Sequence, residues 1–184
     1  MDNLEIAQIF SHIADILELK DENPFRIRTY RRTALVLESF PHDVNQFYKE
    51  GRLRSIPGVG EGIEEKIKEL IETGRLRYYE DLKKEIPEGI FQILEIQEIG
   101  PKTASVLYKK LGIDNIKKLK KAAVEHKIRE LPGMGEKTEE NILKGIDLLK
   151  KRKERIPLQE ALVLADKISQ PLEKLKEVKR MPPP

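Results

Sequence analysis

The chain has 184 residues, enough for one or two domains and a real apolar core. Its 35 Lys and Arg nearly balance 32 Asp and Glu, so the net charge of +3 excludes a strong whole-molecule field, and a polyanion would have to be held by local clusters and backbone groups. Without Cys there are no disulfides or thiolate metal sites, and without a basic n-region in MDNLEIAQIF or any run of membrane-span length, a cytoplasmic protein with no membrane contact is expected.

Taken in order, residues 1–20 place Ile6, Ile9, Ile13, Ile16 and Leu17 at helical spacing, with Asp2 or Asn3 as the cap. Asn23-Pro24 opens a second helix, since proline suits the first helical position, and Pro41 ends it. A short helix over 43–50 uses Val44 and Phe47 and stops at Gly51. A fourth helix follows Gly60 and closes at Gly74. Further helices are expected over 78–85, 90–94, 101–110, 115–123 and 136–152, with a last one from Pro157 to about Val178. No period-2 strand pattern is present. The expected fold is all-α: a four-helix unit over 1–80, a second helical domain over 81–180, and a frayed tail at 181–184.

One device recurs along this chain. Ser55 to Gly74 reads SIPGVGEGIEEKIKELIETG, a tight Pro-Gly turn followed by a helix. Leu131-Pro132-Gly133-Met134-Gly135 repeats it cleanly, and Ile96-Gln97-Glu98-Ile99-Gly100-Pro101 repeats it with Glu98 in place of the first glycine. Gly60, Gly100 and Gly135 stand 40 and 35 residues apart. Glycine accepts positive φ and close backbone approach, and the helix behind it offers free N–H groups and the positive end of its dipole. Phosphates can take those donors, so three such turns fit the grip of a regular polyanion such as DNA. Each turn read singly is equally a glycine-capped connector between helices. Gly58, Gly60, Gly133, Gly135 and Lys137 are the expected phosphate contacts. The second turn carries a repelling carboxylate and would depend on Gly100 and Lys102.

The second helix crowds Arg26, Arg28, Arg31 and Arg32 around Tyr30 with no acid among them. Arg28, Arg31 and Arg32 share one side of the wheel and are suited to a strand-end phosphate; the alternative is a solvated face. His12, His42 and His126 lack metal-ligand spacing and are expected to be structural or on the surface.

The succession NPFRIRTYRRTA, IPGVGEGIEEKIKELIETGRL, IGPKTASVLYKKLGI and LPGMGEKTEENILKGI resembles the N-terminal part of family X DNA polymerases, closest to the bacterial and archaeal branch, over residues 3–178. The resemblance implies a small lyase-like domain followed by a helix-hairpin-helix domain that binds gapped or nicked DNA in base excision repair. It aligns Lys66 with the family's Schiff-base lysine, Tyr30 with the tyrosine near it, and Arg31 and Arg32 with basic residues of the same helix; Arg26, Arg31 and Arg32 are expected phosphate contacts. It also implies a monovalent cation, Na+ or K+, on the backbone carbonyls of Arg54, Ile56 and Val59 and of Leu94, Ile96 and Ile99, with no cofactor required. The family's palm motifs are not found, so DNA synthesis is not expected from this chain. Gly62, Arg26 and Tyr78 stand where animal members carry lysines. Lys66 flanks the apolar stripe near a helix start, which favours the neutral amine, while Glu61, Glu64 and Glu65 favour the ammonium. Three functions therefore stand side by side: DNA binding, a 5′-deoxyribose phosphate lyase, and a module that docks a separate polymerase palm or ligase. A monomer is expected.

Overall fold

The computed structural model describes residues 1–154, and in them every regular element is helical. The chain divides after Ile146 into two units. The first holds all three hairpins; of the second, only the continuation of the last helix to Glu154 is described. The expected helix from Pro157 and the tail at 181–184 lie outside the described residues.

Helix α1 (Asn3–Leu19) begins with a complete capping box, Asp2 accepting from the Glu5 N–H and Glu5 answering to the Asp2 N–H. Its apolar residues are more numerous than one stripe needs. Ile6, Phe10, Ile13, Ile16 and Leu17 are all fully buried. The reason is position: α1 packs along α2 (Pro24–Glu38) and also touches α5 (Arg77–Lys84) and α7 (Pro101–Leu111). Ser105 on α7 donates to the Leu19 carbonyl at 2.8 Å, satisfying the end of α1 inside the protein. Asn23 caps α2, with Pro24 at its start as expected.

Helix α3 (Val44–Lys49) leads through a 3-10 turn at Leu53–Ser55 into the first hairpin and α4 (Glu61–Thr73). Helix α6 (Glu88–Leu94) leads directly into the second hairpin and α7. Helix α8 (Ile116–Val124) leads into the third and α9 (Glu136–Glu154). Gly145 lets α9 settle on the second hairpin: a Cβ there would lie 2.5 Å from the Ile96 Cγ2 methyl.

Candidate nucleic-acid interface

The three hairpins share one backbone. The Val59, Ile99 and Met134 N–H groups donate to the Ile56, Ile96 and Leu131 carbonyls at 3.0, 2.9 and 3.0 Å. The Glu64, Ala104 and Glu139 N–H groups then close the first helical turn on the Gly60, Gly100 and Gly135 carbonyls. Gly58 and Gly133 take φ of +84° and +78°, the left-handed region that the Pro-Gly turns require. Glu98 does not: among the described residues the only non-glycine residues with positive φ are Asp21 and His126. The second hairpin makes the same bond through a turn that any L-residue can adopt, so Glu98 leaves the turn intact.

Helices α1, α2, α3 and α8 start under an Asp or Asn side chain that accepts a backbone N–H. Helices α4 and α7 start on Gly60 and Gly100, with no side chain capping them. Their first N–H donors are left for another acceptor.

Two grooves gather most of the residues singled out from sequence. The first, about 500 Å3, is lined by Arg26, Tyr30, Gly58, Gly60, Glu61, Gly62 and Lys66, with Phe25 at its rim. Lys66 Nζ donates to the Gly62 carbonyl at 3.0 Å and lies 5.3 Å from the centre of the Tyr78 ring. Arg26 donates to the Tyr78 hydroxyl at 2.8 Å. Tyr30 is buried between Phe10 and Tyr78, ring centres 5.9 and 6.1 Å away, and burial pushes its phenol up to about 12, so it stays protonated. Arg26, which lines this groove, thus stands in direct contact with Tyr78.

The second groove, about 450 Å3, lies between the second and third hairpins. Lys102 and Thr103 line one side, Gly133, Lys137, Thr138 and Asn141 the other, and Glu98 faces it as well. The two hairpin lysines expected from sequence share one cavity.

Other expectations part company with the geometry. Arg31 turns back to α1, donating to Asp15 at 2.8 Å and Glu18 at 2.9 Å, and is not among the groove residues. Arg32 is exposed and lines neither groove. Lys68 pairs with Glu64 at 2.8 Å. Glu64, expected to stabilise the Lys66 ammonium, is engaged by Lys68 and Arg54 instead, and these hydrogen bonds hold its carboxyl below the usual range.

That last contact belongs to a repeat that the motif reading missed. Six residues before Gly60 stands Arg54, and four after it Glu64; six before Gly135 stands Arg129, and four after it Glu139. Arg54 Nε donates to the buried Glu64. Arg129 Nε donates to Glu139, 2% exposed, at 2.9 Å, and His126 Nδ1 lies 2.8 Å from the same carboxylate. Burial works against the Glu139 charge, but the hydrogen bonds from His126 and Arg129 outweigh it and its carboxyl stays below the ordinary range. Each pair clamps the segment before a turn to the helix after it. At the second hairpin the same positions are Leu94 and Ala104. The signal was in the sequence as Arg-x5-Gly-x3-Glu, occurring twice.

Comparison with known proteins agrees with this architecture. Residues 1–76 match the helix-hairpin-helix domain family, and residues 91–147 match the SAM-like helix-hairpin-helix tandem family. The DNA polymerase/3′-5′ exonuclease PolX of Bacillus subtilis (strain 168) is 34% identical over 172 residues, 94% of this chain and 30% of the relative. DNA polymerase lambda of Arabidopsis thaliana is 28% identical over 109 residues, 59% of this chain and 20% of the relative. The chain therefore spans less than a third of the length of these relatives. Motifs, hairpin geometry and sequence identity converge: this chain is related to the N-terminal, helix-hairpin-helix region of family X DNA polymerases.

Proposed function

We propose that the chain binds DNA without sequence preference, through phosphates held at its hairpins. The observation that carries this reading is the repeated turn: the same N–H to carbonyl bond closes all three hairpins, and behind it α4 and α7 start on a glycine with no side chain over their first N–H groups. Donors at such turns read backbone rather than bases. Lys102 and Lys137 in the groove between hairpins two and three, and Arg26 and Lys66 at hairpin one, supply the local charge that the overall +3 does not. The finer form of the proposal is a preference for nicked or gapped duplexes in base excision repair, with a strand-end phosphate in the Lys66 groove.

Fluorescence anisotropy on intact, nicked and gapped duplexes over a salt series tests both levels. Phosphate binding predicts log K falling linearly with log salt, with a slope of about −0.9 for each phosphate engaged. Binding that is undetectable at low salt would sink the reading and favour a module that docks a separate polymerase palm or ligase. Equal affinity for all three duplexes would remove only the gap preference.

A monovalent cation, Na+ or K+, is compatible with the hairpin carbonyls. The Ile56 and Ile96 carbonyls each accept one N–H and keep a second lone pair, and neutral carbonyl oxygens suit a hard, singly charged ion.

The Lys66 groove also supports a second reading, a 5′-deoxyribose phosphate lyase. The neutral Lys66 amine would add to the sugar aldehyde and lose water to form a Schiff base. Arg26 and the Gly60 turn would hold the phosphate beside it. Borohydride should then trap a covalent adduct that Lys66→Ala abolishes; no adduct from the parent chain ends this reading.

A further inference from the structure

Arg54 and Arg129 each meet two carboxylates of different character. One is buried and permanent: Arg54 engages Glu64 through Nε, and Arg129 engages Glu139 through both Nε and Nη2. The other is exposed and sits at the first position of the hairpin helix. Arg54 reaches Glu61 at 3.3 Å and Arg129 reaches Glu136 at 3.4 Å, and these acidic side chains are 77% and 70% exposed. An exposed ion pair of this kind is weak, because water competes for both partners. Glu61 also lines the Lys66 groove, beside Gly58 and Gly60. A carboxylate there occupies the region where helix dipole, free N–H groups and guanidinium all favour an anion.

We propose that Glu61 and Glu136 are exchangeable counter-ions, each holding the place of a DNA phosphate on an arginine that a buried glutamate keeps anchored to the hairpin. When a phosphate arrives, the exposed glutamate swings into water and the guanidinium nitrogen it leaves, Nη2 of Arg54 or Nη1 of Arg129, takes the phosphate. Nε stays on Glu64 or Glu139, so the arginine is presented in a fixed pose and loses little freedom on binding. The second hairpin lacks all three parts, carrying Leu94, Pro101 and Ala104 at these positions. The device therefore sets affinity at hairpins one and three, exchanging one anion for another and disfavouring weak or singly placed anions against a properly spaced phosphate. This inference rests on the phosphate-binding reading above.

The test is a charge substitution with a coupling readout. Glu61→Gln should tighten binding to gapped duplex by roughly 3- to 10-fold at low salt. Glu136→Gln should act in the same direction. Glu65→Gln, the same charge change one turn farther along α4, should change affinity less than about twofold. The gain from Glu61→Gln should disappear in an Arg54→Gln/Glu64→Gln background, which removes the anchor as a pair and leaves no buried carboxylate without its arginine; circular dichroism confirms that each variant is folded. If Glu61→Gln gives no gain, or the same gain with and without Arg54, the glutamate is not a counter-ion on that arginine and the inference is overturned. A parent chain with no salt-dependent DNA binding removes the phosphate reading itself, and this inference with it.

Discussion

The first and third hairpins differ from the second in how an identical turn is held. In the outer two, a left-handed glycine makes the turn and an arginine held on a buried glutamate ties it to the helix behind. In the middle one, Glu98 sits in an unstrained turn, and Leu94 and Ala104 replace the ion pair. There the stability comes from packing, with Ile93, Ile96 and Ile99 all buried and Gly145 of α9 pressed against Ile96. One backbone thus has two solutions. The polar one leaves a guanidinium at the surface beside an anion site, and the apolar one leaves none. That difference is why the outer hairpins are the more adjustable DNA contacts in the reading proposed here.

The contrast breaks most sharply if the polar solution is forced on the middle hairpin alone. Ala104→Glu would bury a carboxylate with no arginine opposite, and should cost about 4 kcal/mol in urea unfolding. Adding Leu94→Arg should recover part of that loss. In the third hairpin, Glu139→Ala should cost about 2 kcal/mol, since it strips an acceptor from His126 and from the Arg129 side chain and backbone N–H. The same contact titrates. The Glu64 and Glu139 carboxyls lie lower in the folded protein than in the unfolded chain, so their contribution is present above the ordinary carboxylate range and is lost as pH falls through their folded values. Thermal midpoints should therefore fall below about pH 4.5. Glu64→Gln/Glu139→Gln should flatten that part of the curve.

Smaller effects separate the turns themselves. A Cβ at Gly58 meets nothing within 4 Å, so Gly58→Ala should cost only the backbone penalty, about 1–2 kcal/mol in thermal unfolding. Glu98→Gly should also lose stability, by about 0.5 kcal/mol, because that turn gains nothing from a glycine and the unfolded chain gains freedom. A Glu98→Gly chain more stable than its parent would show that the middle turn is strained after all.

Much of this molecule was legible in its residue order. Periodicity, caps and Pro-Gly punctuation are local properties, so α1 through α9 fall close to their expected bounds, and the three turns were visible as one motif. The positions of the hairpin glycines and the phase of Lys66 on its helix were readable for the same reason: a turn type and a helix phase are decided within a few residues. The side-chain partners were not. Arg31 looked free beside Arg32 until α1 brought Asp15 and Glu18 against it, 16 and 13 residues away in sequence. Arg54 and Glu64 stand ten residues apart, and the turn folds one back on the other. Lys102 and Lys137 entered one groove only because α9 crosses the second hairpin at Gly145. Local order set where each hairpin would form, since those choices depend on near-neighbour sterics and hydrogen bonds. Which charges are spent on each other, and which stay available to a ligand, depended on distances across the fold that only the packed helices define.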